Sequence, residues 1–271
     1  AMKARELGRK GVVVGDRVGL VGDLTGEPDA LARVVRVEPR RSVLRRTADD
    51  TDPVERVIVA NAEQLLVVTA LADPPPRTGL IDRCLVAAYD AGLTPVLCLT
   101  KGDLAAPDEL LATYAPLDVP YVVARHGADL GPLVDRLRGR TTVLVGHSGV
   151  GKSTLVNALV PGAGRATGAV NSVTGRGRHT STSAVALEVP EADAWVIDTP
   201  GIRSFGLAHV DIGRVITAFP DLAAGTAECP RSCSHDEPEC GLDEWAATGG
   251  ADPRRLESLR RLLRSREESD A

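Results

Sequence analysis

Aromatic side chains are nearly missing from this sequence, which has 2 Phe, 2 Trp and 3 Tyr in 271 residues. Val, Leu and Ala must therefore fill the core. Residues 1–55 hold no Phe, Tyr, Trp or His. That excludes base stacking on an aromatic platform there and leaves any RNA contact in that segment mostly electrostatic. Long apolar runs are also absent. None approaches the roughly 20 residues of a membrane span, and no signal peptide is expected, so the chain is read as cytoplasmic with no membrane partner. The 5 cysteines cannot form an even disulfide framework. Cys84 and Cys98 lie in apolar segments and are expected to be core thiols, while the other three cluster late with a histidine, a metal pattern suited to a reducing compartment. The formal charge of −5, from 32 basic and 37 acidic residues, gives no global pull toward nucleic acid. The length suits one large domain or two to three small ones.

What is present is organised around Gly146-His147-Ser148-Gly149-Val150-Gly151-Lys152-Ser153-Thr154, which reads G-x-x-x-x-G-K-S. An apolar run, Thr141 to Val145, precedes it, and a helix is expected from Thr154 to Val160. Strand, glycine loop and helix make a phosphate-binding loop. Backbone N–H groups converge on an anion where no Cβ intervenes, and the helix N-terminus adds partial positive charge. Lys152 can reach the β- and γ-phosphates, and the Ser153 hydroxyl can ligate Mg²⁺.

Two further strand ends carry chemistry. Thr94–Leu99 runs into Thr100-Lys101-Gly102-Asp103, a [N/T]-K-x-D tetrapeptide whose carboxylate can accept from guanine N1–H and the 2-amino group together. Adenine lacks that donor pair. Ala194–Ile197 runs into Asp198-Thr199-Pro200-Gly201, where D-x-x-G places a carboxylate near Mg²⁺ and a glycine amide near the γ-phosphate. Between these lies Gly162 to Ser183, rich in Gly, Arg, Ser and Thr and without hydrophobic period, in the place of a switch loop. Either Thr180 or Thr182 is its candidate Mg²⁺-sensing hydroxyl. An ordinary small GTPase has the phosphate loop first and the guanine reader later. Here the reader at 100–103 precedes the loop at 146–153, as in a circular permutation.

The rest of the chain divides around this core. Short strands are expected at Gly11–Val14, Arg17–Val21, Ala32–Val37 and Ser42–Arg45, forming a small β-barrel. The stretch from Arg33 to Arg46 is locally basic, and is either a solvated strand face or a phosphate-backbone contact surface. Dense apolar strands at Arg56–Ala60, Gln64–Val68, Thr94–Leu99 and Tyr121–Ala124, with helices at Gly79–Asp90 and Gly131–Arg138, imply a parallel sheet covered on both faces. Late in the chain, Cys229, Cys233, His235 and Cys240 suit a closed, structural Zn²⁺ site. Asp252-Pro253 starts a helix whose apolar stripe is Leu256, Leu259, Leu262 and Leu263. Its arginines, 254, 255, 260, 261, 264 and 266, are either a solvated face or an RNA-facing one.

The ordered set of V-G-D-R-V at 14–18, V-x-P-R-x-S-x-L-x-R at 37–46, A-N-A-E-Q at 60–64, T-K-G-D, G-H-S-G-V-G-K-S-T, G-R-G-R-H-T-S-T at 175–182, D-T-P-G and the C…C-x-H…C cluster resembles the circularly permuted GTPases of the RsgA (YjeQ) type. The resemblance implies a multidomain α/β protein: an OB-type β-barrel over 1–54, truncated before the V-G-D turn, a permuted P-loop GTPase domain over 55–206 and a zinc-binding helical domain over 207–271. It implies hydrolysis of GTP to GDP and phosphate in late maturation of the small ribosomal subunit, stimulated by the subunit. The cofactors would be Mg²⁺ and one structural Zn²⁺, the partners the subunit and its rRNA, and the chain a monomer. Lys152 and Ser153 would carry catalysis. Ile202 follows D-T-P-G where a Ras-like enzyme has a water-orienting Gln, so slow intrinsic turnover is expected, with His179 the best substitute and His147 a weaker one. The family's pattern is not met everywhere: Glu63 stands for an Asp, the zinc loop is short, and Ala124-Arg125 replaces a Ser-Ala contact to guanine O6. The rival readings are a nucleotide-sensing RNA-binding scaffold and an ATPase, the latter opposed by T-K-G-D.

Overall fold

The computed structural model describes residues 2–4, 11–25, 27, 31–47, 54–165, 184–199 and 206–266. In chain order the strands are β1 (Met2–Lys3), β2 (Val18–Gly22), β3 (Ala32–Val37), β4 (Val43–Arg46), β5 (Arg56–Ala60), β6 (Gln64–Ala70), β7 (Thr94–Thr100), β8 (Tyr121–Val123), β9 (Thr141–Val145), β10 (Val185–Val189) and β11 (Ala194–Asp198). The α-helices are α1 (Thr78–Asp90), α2 (Asp108–Tyr114), α3 (Gly131–Leu137), α4 (Lys152–Leu159), α5 (Ile212–Ile216), α6 (Pro220–Ala223), α7 (Gly241–Ala247) and α8 (Pro253–Arg264).

Six strands form the central sheet in the order β10-β11-β9-β6-β7-β8. All neighbours are parallel except β10, which runs antiparallel to β11. The continuous apolar runs explain this burial on both faces. Along β6, Leu65 and Val67 pack toward α1, while Leu66 and Val68 pack toward α3 and α4. Cys84 and Cys98 are core thiols on opposite faces, and burial pushes Cys98 up to about 12. The permutation is visible in the topology. β6, β7 and β8 step outward from the centre, and the chain then returns through α3 to β9, on the other side of β6.

One expectation about the first third of the chain needs correcting. Arg56–Ala60 is not a strand of the parallel sheet, because β5 pairs antiparallel with β4. That pair buries Leu44 and Val59 in the same apolar cluster as α1. Among the described residues the N-terminal strands form two sheets. β1-β3-β2 is one and β4-β5 the other, and their flanking segments are tied by the Val14–Val59 bridge and by Asn61, which accepts from the Arg41 N–H at 2.8 Å and donates to the Gly15 carbonyl at 2.9 Å. Leu20, Val21, Leu24, Leu31 and Val35 are exposed, while Val34 and Val37 are half-buried.

The C-terminal helices are not a body apart. Phe219, Leu222, Leu242, Leu256, Leu259 and Leu262 belong to the apolar cluster that covers one face of the sheet. α8 starts as its sequence requires, with Asp252 accepting from the Arg254 N–H at 2.8 Å and Pro253 in the first turn. Its arginines, however, form neither a simply solvated face nor a free RNA surface. Arg255 pairs with Asp118 and Asp221 and lies 5.2 Å over the Phe219 ring. Arg261 pairs with Asp82 of α1 at 3.0 Å and lies 5.1 Å over Tyr114. Arg260 grips Asp243 with two 2.7 Å bonds, and Arg264 grips Asp236. The helix is a rivet between the C-terminal segment and α1.

Truncating one member of a largely buried ion pair leaves the other charge poorly compensated. Arg261→Ala is therefore expected to lower unfolding free energy by about 2–4 kcal/mol in urea titration, and exposed Arg254→Ala by no more than about 0.5 kcal/mol. Equal effects would contradict the riveting role of α8.

Candidate functional site

The phosphate loop leaves β9 at Val145 and enters α4 at Lys152. Gly146 is required by close approach, since a Cβ there would run into the Val68 carbonyl oxygen. Gly151 has φ +88°, a left-handed conformation that side-chain-bearing residues avoid. Lys152 Nζ donates to Asp198 Oδ1 and to the Thr199 carbonyl. The Thr199 hydroxyl donates back to the Leu144 carbonyl at 2.7 Å. The phosphate loop and the end of β11 thus meet across the β9–β11 seam, with both charged side chains close to nine-tenths buried. Ser153 follows in the first turn of α4, half-buried, and Thr154 is exposed.

The end of β7 faces the same loop. The Thr100 hydroxyl lies 2.5 Å from the Val150 carbonyl and 3.2 Å from that of Thr69. Its neighbour Lys101 bonds the Asp73 carbonyl. Gly102 N–H donates to Ala124 O at 3.1 Å, and Ala124 N–H donates to Leu99 O at 2.8 Å. The Ala124 amide is therefore occupied and not free for a guanine O6. Asp103 accepts from the His126 N–H at 3.2 Å, and this backbone bond holds its carboxyl below the usual range, ionised for accepting from a base. A cleft of about 420 Å³ joins Lys101 and Asp103 to Gly151 and Thr154 of the phosphate loop, with Leu104, Leu130, Leu155 and Ala158 as its apolar lining. Its polar acceptor above an apolar floor suits a planar base.

His147 lies buried behind the loop. Its Nδ1 sits 2.9 Å from the Ser148 carbonyl, and burial lowers its proton affinity, so it is neutral at pH 7. Ser148 and Gly149 complete the turn, Gly149 at φ +85°. His179, Thr180, Thr182 and Gly201 lie outside the described residues.

The sequence reading passed over two residues. Arg165 Nε lies 3.1 Å from Asp198 Oδ2, so this carboxylate sits between two cations. Asn157 of α4 bonds both the N–H and the carbonyl of Arg165, each at 2.8 Å. A lone Arg in a Gly/Ala-rich stretch carries no spacing signal. Glu63 has a positional role as well: its carboxylate accepts from the Thr141 N–H at 2.9 Å and ties the start of β9 to β6.

The metal cluster forms as its spacing suggests. The ligand atoms of Cys229, Cys233, His235 and Cys240 all lie within 4.8 Å of one another. Cys229 Sγ is 3.6 Å from His235 Nδ1 and 3.9 Å from Cys240 Sγ. A tetrahedral Zn²⁺ with bonds of about 2.0–2.3 Å needs ligand separations close to these. Burial lowers the proton affinity of His235, favouring the neutral form that ligates. Burial and the neighbouring Cys240 raise the Cys229 thiol, a cost that a divalent cation reverses. Cys233 donates to Glu237 at 3.2 Å, and Arg260 fixes the loop through the His235 carbonyl at 2.8 Å. The residues fit Zn²⁺.

The G-x-x-x-x-G-K-S loop after β9, T-K-G-D at the end of β7 and Asp198 at the end of β11 lie on one sheet in permuted chain order, the arrangement of a circularly permuted P-loop domain of the GTPase class. The chain belongs to the RsgA GTPase family, whose model matches residues 37–208. It is 40% identical over 264 residues to the small ribosomal subunit biogenesis GTPase RsgA of Azotobacter vinelandii, covering 94% of this chain and 75% of that protein. It is 37% identical over 268 residues to the protein of the same name in Chlorobaculum parvum, covering 95% and 86%. Among solved structures it resembles YjeQ from Thermotoga maritima, with a TM-score of 0.64, 27% identity and coverage of 97% and 87%. The circularly permuted GTPase YloQ matches in fold, with a TM-score of 0.62 at 21% identity and coverage of 96% and 83%.

Metal analysis of the purified chain is expected to find about one zinc per chain. Full occupancy surviving Cys233→Ala together with His235→Ala would contradict the assignment.

Proposed function

We propose that this chain hydrolyses GTP to GDP and phosphate in late maturation of the small ribosomal subunit, in the cytoplasm, with turnover raised by the subunit itself. The observation that carries the reading is the contact between Thr100 and Val150, which seats the base reader and the phosphate loop around one cleft. The names of the 40% and 37% identical relatives support the small subunit as the partner.

The residues divide the work as follows. Asp103 accepts from guanine, with the Lys101 stem and the apolar lining against the ring. Amides of Gly149 to Thr154 cradle the phosphates, and Lys152 leaves Asp198 for the β- and γ-oxygens. Ser153 and Asp198 would hold Mg²⁺, which would supply charge neutralisation at the phosphates. Thr180 or Thr182 and the Gly201 amide respond to the γ-phosphate, and His179 orients water once the subunit fixes it. Zn²⁺ at the Cys/His cluster is structural.

The chain is read as an N-terminal partial OB-type barrel over 1–54, the GTPase domain over 55–206 and the zinc-binding segment over 207–271, acting as a monomer. Contact with rRNA is assigned to the basic strands of the N-terminal part. Among the described residues Arg36, Arg40 and Arg45 are engaged by Glu38, Asp16 and Glu55, which leaves Arg33, Arg41 and Arg46 to phosphate oxygens.

The test is GTP turnover by the full chain with and without purified small ribosomal subunits. Subunits are expected to raise turnover roughly tenfold or more, and Lys152→Ala to abolish it in both conditions. Unchanged turnover on adding subunits, or normal turnover in Lys152→Ala, would overturn the reading.

A further inference from the structure

We propose that Arg165 contacts the γ-phosphate of bound GTP and is a further catalytic residue of this site, an inference that rests on the GTPase reading above. Three observations about this side chain carry it.

The first is charge. Asp198 offers one carboxylate to two cations, Lys152 on Oδ1 and Arg165 on Oδ2. The side chains are 11%, 15% and 7% exposed for Lys152, Arg165 and Asp198, so a cluster of net charge +1 is largely withdrawn from water at the mouth of the phosphate loop. Such a cluster favours an anion. Phosphate oxygens would compete with the Asp198 carboxylate for both cations.

The second is unused donor capacity. Arg165 Nε, though 3.1 Å from Asp198, lacks the alignment of a hydrogen bond, and the buried Nη2 has no hydrogen-bond partner. A guanidinium held mainly for structure is expected to spend its donors, as Arg260 and Arg255 do on α8. Arg165 keeps its planar fork for an acceptor of phosphate geometry.

The third is positioning. Asn157 clamps both backbone polar groups of Arg165, and Asn157 belongs to the helix that begins at Lys152. The base of the Arg165 side chain is thereby registered to the phosphate loop, so little reorganisation separates its contact with Asp198 from one with the phosphate.

The chemistry has a place for it. In hydrolysis the water oxygen bonds to Pγ while the bond from Pγ to the bridging oxygen breaks. The bond pair remains on that oxygen of GDP, one water proton stays on the new phosphate hydroxyl, and the other passes to a phosphate oxygen or solvent. Charge on the γ-phosphoryl and bridging oxygens needs stabilisation that Ile202 cannot provide. A guanidinium supplied by the same chain meets that need.

The experiment compares wild type, Arg165→Ala and Arg165→Lys in two measurements. One is single-turnover GTP hydrolysis; the other is binding of GDP alone and of GDP with aluminium fluoride, which imitates the transferring phosphoryl group. Arg165→Ala is expected to slow hydrolysis by roughly 100-fold or more, to weaken binding of the aluminium fluoride complex at least about tenfold, and to leave GDP affinity within about twofold. Retained GDP binding also shows that the variant folds. Arg165→Lys is expected to recover part of both losses, keeping the charge without the fork. Wild-type hydrolysis with wild-type binding of the aluminium fluoride complex in Arg165→Ala would overturn the proposal, and so would equal loss of GDP and that complex, which marks a structural role. If wild type binds GDP without hydrolysing GTP, the GTPase reading fails while the binding arm still decides Arg165.

Discussion

The site depends on one ion pair, Lys152 to Asp198 across the β9–β11 seam. Both charges are largely withdrawn from water, and the pair is made between the first residue of α4 and the last of β11. In a medium less polarisable than water such a contact is strong, but it also withdraws both groups from solvent. A triphosphate with its metal offers each partner a better counter-charge, the phosphates to Lys152 and the cation to Asp198. The pair therefore holds the loop and the strand end in register, and the proposed function requires it to open when nucleotide binds. Thr199, bonded to Leu144, and Thr100, bonded toward Val150, keep the flanking strand ends in place while that exchange occurs.

Circular permutation leaves this geometry intact because the sheet does not record where the chain was cut. The half carrying the base reader is made first, the half carrying the phosphate loop second, and β6 against β9 joins them. Permutation changes what the site is attached to. Residue 206, just beyond the D-T-P-G turn, has its carbonyl bonded by the buried Thr47 N–H at the end of β4. From there the chain enters the helices riveted to α1. The chain at residue 206 thus meets two parts of the fold, the N-terminal strands through Thr47 and the C-terminal helices. The shared apolar cluster and the Arg261–Asp82 and Arg255–Asp118 pairs oppose rigid-body swinging of the second.

Much of this was legible in sequence because the chemistry is local. The phosphate loop, T-K-G-D, D-T-P-G and the Cys/His cluster each need a few residue types at fixed spacing, and among the described residues Lys152, Thr100 and Asp198 lie at neighbouring strand ends while the Cys/His ligand atoms gather within 4.8 Å. Uniformly apolar β6 and β7 announced burial on both faces. What escaped depends on partners distant along the chain. The arginines of α8 look like a basic surface until Asp82, Asp118 and Asp221 are brought to them by folding. Arg40 likewise reads as nucleic-acid-facing until it meets Asp16, 24 residues earlier. The strand Arg56–Ala60 is apolar enough for the main sheet, but nothing in its composition says that β4 pairs with it instead. Arg165 gave no signal, since its meaning comes from Asn157 and Asp198.

The proposed function rests on one guanine-specific nucleotide site assembled from strand ends in permuted order. It is tested most directly by measuring affinities for GTP, XTP and ATP analogues in wild type and Asp103→Asn. The account predicts that wild type prefers GTP by roughly 100-fold or more over ATP, and that Asp103→Asn loses GTP while gaining XTP, because the amide donates where the carboxylate accepted. Comparable affinity for GTP and ATP in wild type, or an unchanged preference in Asp103→Asn, would contradict it.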